Sequence, residues 1–190
     1  MFELYKTENA DMELHVQGNK LLNKRGEAVM LTGVNCSSLE WQCNPDKLVW
    51  TVQVALDDWH ANTIRLPLSQ DKWFGFGGDQ RGQDESGERY RAMVDEIVKE
   101  IAARKKYVIL DLHRSNCGSW GEFISGNMPD MNSLVFWKNI ALRFRNHPNV
   151  LFGIFNEPFK VSWECWRDGG EVTVEYAPQN IGNQIMRDES

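Results

Sequence analysis

Four short apolar runs recur along the chain, and each is followed by a polar loop. The runs predict four strands, near residues 29–34, 63–67, 107–112 and 150–155. Apolar residues three and four positions apart predict amphipathic helices after the first three strands, near residues 46–60, 90–101 and 132–145. Strands that are apolar on both faces and alternate with helices are typical of parallel strands covered by helices. The pattern therefore predicts an α/β fold.

Helical spacing also predicts which residues face the core. The first helix is expected to bury Leu48, Val52, Ala55 and Trp59, and the third Phe136, Trp137, Ile140, Ala141 and Phe144. At the start of the chain, turn residues within 12–31 predict a small β-hairpin ahead of the first strand. At its end, residues 179–187 are interpreted as the start of a fourth helix.

Two architectures fit this order of elements: a doubly wound open sheet and a (β/α) barrel. The open sheet usually carries a glycine-rich phosphate loop after its first strand, and residues 33–36 (GVNC) do not form one. The glycine cluster at 75–78 lacks the lysine and hydroxyl residue of a phosphate cradle. The barrel is therefore favoured.

Charge and cysteine content exclude several classes of function. A formal net charge of −6 argues against a nucleic-acid partner, and the chain has no apolar run long enough to predict a transmembrane helix. Its first eight residues are acidic, where a signal peptide is basic and then apolar, so localisation is not predicted from the residues. Four cysteines form no C-x-x-C pair, so we expect no metal and no cofactor. Free thiols are expected, and a Cys36–Cys43 disulfide stays open.

Aromatic residues point to a ligand surface. Five of the eight tryptophans fall outside the predicted helices and strands: Trp41, Trp73, Trp120, Trp163 and Trp166. Core tryptophans usually lie within such elements, so this set indicates a surface for flat, partly apolar ligands.

Polar residues stand at or just past the carboxyl end of every predicted strand, namely Asn35, Arg65, His113 and the pair Asn156-Glu157. In a barrel these ends converge on the face that carries the active site. A carboxylate after an apolar strand is expected to be half-sheltered from water. Loss of water disfavours its charged form and raises its pKa, which suits a group that must donate a proton. Arg65 requires a carboxylate or several acceptors, and either a catalytic carboxylate or a structural ion pair meets that need.

The motifs around these residues resemble glycoside hydrolase family 5, the cellulase family. They are residues 31–35 (LTGVN), 64–67 (IRLP), 110–113 (LDLH) and 155–158 (FNEP), supported by stretches at 127–137 and 161–166. The resemblance implies the first four units of a (β/α)₈ barrel and a retaining hydrolase of β-linked glucan or a related polysaccharide, exported from the cell.

Carried over by position, the resemblance implies a role for each site residue. Glu157 would be the general acid/base, and Asn156 would contact the sugar 2-hydroxyl. Arg65 would neighbour the nucleophile and His113 would line the subsite of cleavage. Asn35 would bind substrate, and Trp41 and Trp120 would be sugar platforms.

The chain departs from the family in length. A full barrel needs roughly 250 residues, whereas four units occupy this chain of 190 as a single domain. Strands five to eight, with the nucleophile on strand seven, are expected to be missing, and the chain alone is expected to be inactive. Three interpretations stay open: a fragment, one half of a two-chain or self-associating barrel, and a non-catalytic glycan-binding half-barrel. A nucleotide-binding open sheet is a further alternative.

Overall fold

The computed structural model describes residues 10–115, 126–174 and 184–186. The strands are β1 (Leu14–Gln17), β2 (Lys20–Asn23), β3 (Gly33–Asn35), β4 (Thr63–Ser69), β5 (Tyr107–Arg114), β6 (Val150–Gly153), β7 (Val172–Val174) and β8 (Gln184–Met186). The helices are α1 (Leu48–Asp57), α2 (Gln70–Trp73), α3 (Glu88–Ala103), α4 (Met131–Phe144) and α5 (Trp163–Asp168). Short 3₁₀ turns lie at Ala10–Met12 and Gly78–Gln80.

The centre of the fold is a four-stranded parallel sheet in the order β3-β4-β5-β6. Its register pairs Asn35 with Arg65 and Asp111 with Gly153. Ahead of it, β1 and β2 form the antiparallel hairpin that the sequence predicted. Parallel neighbours in chain order are the topology of successive barrel units, so the predicted α/β fold is confirmed.

The core lies between this sheet and its helices. Ile64, Leu66 and Leu68 of β4 are fully buried, as are Leu110 and Leu112 of β5. Against them pack Tyr90, Val94, Ile97, Val98 and Ile101 of α3 and Phe136, Ile140 and Phe144 of α4. Two expected core residues are exposed: Trp59 lies beyond the end of α1, and Ala141 is turned away from the sheet. Ala141 lies about 100° around α4 from the buried Ile140, and at this position that rotation carries it to the exposed side of the helix.

The two outer strands of the sheet are shorter than predicted. β3 begins only at Gly33, because the side chain of Asn62 binds the preceding segment, donating to the Met30 carbonyl at 2.8 Å and accepting from the Thr32 amide at 2.8 Å. β6 ends at Gly153, two residues before the predicted end. Each of these strands pairs on one side only within the described sheet, so fewer ladder hydrogen bonds extend it.

Trp73 was predicted to lie in a loop, and that prediction is wrong. It belongs to the four-residue helix α2, is fully buried, and packs edge-to-face against Tyr90 and Phe136. Its indole N–H donates to Asn139 at 2.8 Å. A helix of one turn leaves no periodic pattern to detect, which is why the sequence did not show it. Trp163 and Trp166 also lie in a short helix, α5.

The fourth helix expected within 179–187 is not formed at 184–186. Those residues are β8, which pairs antiparallel with β7. The window contains Gly182 and Asn183, which are weak helix formers, while Val172, Thr173 and Val174 favour a strand.

Three of the four cysteines lie among the described residues, and none of the three forms a disulfide. Cys36 and Cys43 are buried free thiols and Cys165 is a half-buried one, while Cys117 lies outside the described residues. Burial raises the pKa of both Cys36 and Cys43. No helix among the described residues is long and apolar enough to cross a membrane.

Candidate active site

The strands β3 to β6 bring Asn35, Arg65, His113 and Asn156 together towards one edge of the sheet. The predicted place of Arg65 at a strand end is wrong: it is the third residue of β4, because β4 stays paired with β5 as far as Ser69. Asn35 is the last residue of β3, and its neighbour in register on β4 is Arg65. Asn156 lies three residues past β6, and its backbone N–H donates to the Leu112 carbonyl of β5 at 2.9 Å. That bond holds Asn156 against β5 beyond the end of the regular ladder.

Arg65 connects the polar residues at this edge of the sheet. Its Nη1 donates to Asn35 Oδ1 at 2.8 Å, and its Nη2 donates to Asn156 Oδ1 at 2.8 Å. Nη2 also lies 2.7 Å from Asp111 Oδ2. A planar guanidinium can donate in several fixed directions at once, which a lysine cannot do. One side chain thus joins residues of β3 and β5 to the segment after β6.

Asp111 is the site residue that the sequence reasoning missed. It lies within β5, its side chain is 3% exposed, and its Oδ2 also lies 2.9 Å from His113 Nδ1. Asp111 and His113 are two positions apart on a strand and therefore point to the same face. A carboxylate inside an otherwise apolar strand was the available signal, because a buried charge requires partners. The carboxylate partner expected for Arg65 is, among the described residues, this one.

Glu157 follows Asn156 directly but is exposed, so the half-sheltered position expected for it is wrong for the described chain. No hydrogen bond or ion pair joins Glu157 to another described residue. Its backbone adopts a left-handed conformation with φ of 49°. Such a conformation is uncommon for a residue other than glycine, asparagine or aspartate, and costs of order 1–3 kcal/mol. Because β6 has already ended at Gly153, this residue lies on an exit loop, and the strand's neighbours do not cover it.

The two tryptophans proposed as sugar platforms differ in what the structure shows. Trp41 is 45% exposed, and the guanidinium of Arg114 lies 3.5 Å from its ring centroid. Arg114 ends β5, directly after His113, so this cation–π contact connects Trp41 with the same sheet edge. Burial lowers the pKa of Arg114, and the Glu40 carboxylate opposes that shift. Trp120 lies outside the described residues.

The hydrogen-bond chemistry of the edge is specific. Arginine only donates, so the oxygens of both Asn35 and Asn156 face Arg65, and their NH₂ groups are left as donors. Among the described residues, neither NH₂ group nor His113 Nε2 has a protein partner. No cluster of three or more histidine, cysteine or acidic residues suitable for a metal occurs in the described ranges.

Comparison with known proteins agrees with this architecture. The family model for cellulase (glycosyl hydrolase family 5) matches residues 22–186. The chain is 29% identical over 174 residues to endoglucanase MaCel5A of Microbulbifer sp. (strain ALW1), which covers 89% of this chain and 31% of that protein. An endoglucanase of Paenibacillus polymyxa is 26% identical over 191 residues, covering 90% and 46%. The chain therefore spans less than half the length of these relatives.

Solved structures show the same partial coverage. The catalytic domain of Thermobifida fusca endoglucanase Cel5A (E5) aligns with a TM-score of 0.56 and 25% identity, over 81% of this chain and 46% of that one. A variant of that domain was solved in complex with cellotetraose. An endocellulase from Pyrococcus horikoshii aligns with a TM-score of 0.58 at 22% identity, over 79% and 44%, which shows the shared fold.

Proposed function

This chain belongs to glycosyl hydrolase family 5, and from that premise we propose that it carries the acid/base side of the active site of a retaining hydrolase of β-linked glucans. The observation that carries the proposal is the Arg65 network. It gathers Asn35, Asp111 and Asn156 from separate elements, and Asn156 directly precedes the candidate acid/base, Glu157.

Glu157 is proposed to protonate the oxygen of the leaving sugar and later to activate water as a general base. Its exposure leaves the carboxyl group accessible to a glycosidic oxygen. The left-handed backbone supports this role, because strained conformations cluster at functional sites.

The substrate is proposed to bind through its hydroxyl groups. The NH₂ groups of Asn35 and Asn156 can donate to hydroxyl oxygens, and His113 Nε2 can accept from a hydroxyl or donate to it. Trp41 is proposed as a stacking surface for a sugar ring, and Trp120 keeps the same proposed role from the family resemblance. The cellotetraose bound to the Thermobifida fusca relative makes a β-glucan the first substrate to test.

The second carboxylate of a retaining mechanism must lie roughly 5–5.5 Å from the first. The Asp111 side chain is 3% exposed and lies beneath Arg65 and His113, so it is poorly placed to attack a sugar. We therefore propose that the nucleophile comes from barrel units beyond the fourth, either in a longer chain or in a partner, and that residues 1–190 alone do not hydrolyse glucan. Secretion is proposed from the family resemblance alone.

Exposed apolar side chains on and near β6 support the proposal that further barrel units pack against this part of the chain. Phe152 of β6 and Ile154 just beyond it are 42% and 64% exposed, and Leu134 and Val135 of α4, the helix that precedes β6 in the chain, are exposed as well. In a complete barrel a fifth strand and its helix would cover this edge. A second copy of this chain is the alternative occupant of the same surface.

The experiment compares residues 1–190 alone with a chimera in which they replace the corresponding half of the Thermobifida fusca catalytic domain. We expect no release of reducing sugar from soluble β-glucan by the chain alone and measurable release by the chimera. Glu157→Gln should lower the chimera's rate by about 10²–10⁴-fold, the usual contribution of general acid/base catalysis.

Glu164→Gln is the matched control, because Glu164 is an exposed glutamate of α5 outside the network, and it should leave the rate unchanged. A folded chimera that is inactive, or an active one that tolerates Glu157→Gln, would contradict the proposal. Hydrolysis by the chain alone would contradict the need for further units.

A further inference from the structure

Asp111 links two residues of the site through a single oxygen. Its Oδ2 lies 2.7 Å from Arg65 Nη2 and 2.9 Å from His113 Nδ1. We propose that Asp111 is a positioning residue, which holds His113 in the tautomer that presents Nε2 as a hydrogen-bond acceptor to a substrate hydroxyl. This deepens the proposed function and rests on it for the identity of the substrate.

The tautomer follows from what each group can donate. An ionised carboxylate only accepts hydrogen bonds, and its Arg65 partner only donates. His113 Nδ1 must therefore carry the proton that it shares with Asp111. In a neutral imidazole the other nitrogen, Nε2, is then an acceptor. The site as a whole combines donors on Asn35 and Asn156 with one acceptor on His113, a set that matches hydroxyl groups, which both donate and accept.

Burial makes this arrangement stable against water. The Asp111 side chain is 3% exposed, so solvent has little access to its carboxylate, whereas the side chains of Arg65 and His113 are 32% and 23% exposed. Hydrogen bonds to an ionised group are about twice as strong as neutral ones. The carboxylate thus lies beneath the two residues that face the edge of the sheet, and it acts on substrate only through them.

Gly153 gives an independent reason to assign a positioning role to Asp111. The two residues are register partners on β5 and β6, and a Cβ atom at Gly153 would lie 2.9 Å from Asp111 Oδ1 and 3.3 Å from its Cβ. Asp111 cannot move aside freely, because Arg65 and His113 both hold its other oxygen. The absence of a side chain at residue 153 therefore leaves the space that the carboxylate occupies.

The test reads the tautomer of His113 directly, by long-range ¹H–¹⁵N NMR of residues 1–190 at a pH where the imidazole is neutral. We expect Nδ1–H in the wild type. Asp111→Ala should shift the tautomer ratio towards Nε2–H by about tenfold or more, since it removes a charged hydrogen bond. Asp111→Asn should retain Nδ1–H, because the Asn oxygen would face Arg65 and still accept from His113.

Two glycine variants complete the test. Gly153→Ala should shift the tautomer ratio in the direction of Asp111→Ala by displacing the carboxylate. Gly78→Ala should not, because a Cβ there meets nothing within 4 Å. A wild-type Nε2–H tautomer, or a folded Asp111→Ala variant with an unchanged tautomer, would overturn the proposal.

Should Asp111→Ala fail to fold, the wild-type and Asp111→Asn spectra decide the same question, since Nε2–H in either one overturns the proposal. No substrate is present in these measurements. Their failure is therefore distinguishable from failure of the chimera to hydrolyse glucan.

Discussion

Arg65 donates to Asn156 across 91 residues of sequence, with Nη2 and Oδ1 2.8 Å apart. The bond connects the second strand of the parallel sheet with the segment that follows the fourth. It orients the Asn156 amide so that its NH₂ group remains as a donor, and it lies one residue from the candidate acid/base, Glu157.

Arg65→Lys should disrupt the site while retaining the charge. A lysine has a compact ammonium group, which cannot reproduce the fork that joins Asn35, Asp111 and Asn156. With about 1.5–3 kcal/mol for each hydrogen bond to a charged group, loss of one bond should lower the chimera's kcat/KM by about ten- to a hundredfold. The measurement is the initial rate on soluble β-glucan.

The matched control for that variant is Arg25→Lys. Arg25 pairs with Glu27 at 2.9 Å in the exposed turn after β2, and exposed pairs contribute little. We expect its activity to equal that of the wild type. Equal kcat/KM for Arg65→Lys and Arg25→Lys would show that the Arg65 network has no part in catalysis or binding.

Glu157→Gln and Asn156→Ala should respond differently to the leaving group. The first removes the proton donor and keeps the side-chain shape, so a dinitrophenyl glycoside, whose leaving group needs no proton, should recover much of the lost glycosylation rate. The second removes a hydrogen bond to the sugar, so activated and unactivated substrates should slow alike. Single-turnover rates of the chimera on both substrate types measure the contrast. A Glu157→Gln variant equally slow on both would show that Glu157 is not the acid.

Tyr90→Phe should destabilise the fold. The buried Tyr90 hydroxyl accepts from the Ser69 N–H at 3.0 Å and donates to the Leu39 carbonyl at 2.9 Å. Removing it leaves two buried backbone groups without that partner, at a cost of about 1–3 kcal/mol. Urea unfolding gives the difference in free energy. Tyr107→Phe is the control, since the Tyr107 hydroxyl has no hydrogen bond to a described residue. If Tyr107→Phe lowers the free energy of unfolding as much as Tyr90→Phe does, the hydrogen bonds of Tyr90 are not the cause.

Tyr90→Phe should also change how the free energy of unfolding depends on pH above pH 10. Burial raises the pKa of Tyr90 above its usual value of 10.0, so the folded state favours the protonated phenol. The contribution of Tyr90 to the free energy of unfolding is complete below pH 10 and is lost as the pH rises above 10. The free energy of unfolding should then fall by up to about 1.4 kcal/mol per pH unit. Unfolding free energies of Tyr90→Phe should therefore fall less steeply above pH 10 than those of the wild type. Parallel slopes would contradict this.

Much of the fold was predictable because its signals are local. The four strands and three main helices appear as apolar periodicity, and Asn35 and His113 lie at or next to the ends of β3 and β5 as predicted. The family could also be identified from short motifs at those ends. The exceptions are elements too short to have a period, such as the single turn of α2 that buries Trp73, and β8, whose partner strand lies elsewhere in the chain.

The sequence by itself determined the four parallel strands, the three main helices, the polar residues near the strand ends, and the family to which the chain belongs. Only the tertiary structure decided that Arg65 pairs with Asp111, that this carboxylate also contacts His113, and that Glu157 is exposed. The physical reason is that periodicity reports the burial of one element at a time. An ion pair, by contrast, depends on the register between strands and on the space that a residue such as Gly153 leaves beside it.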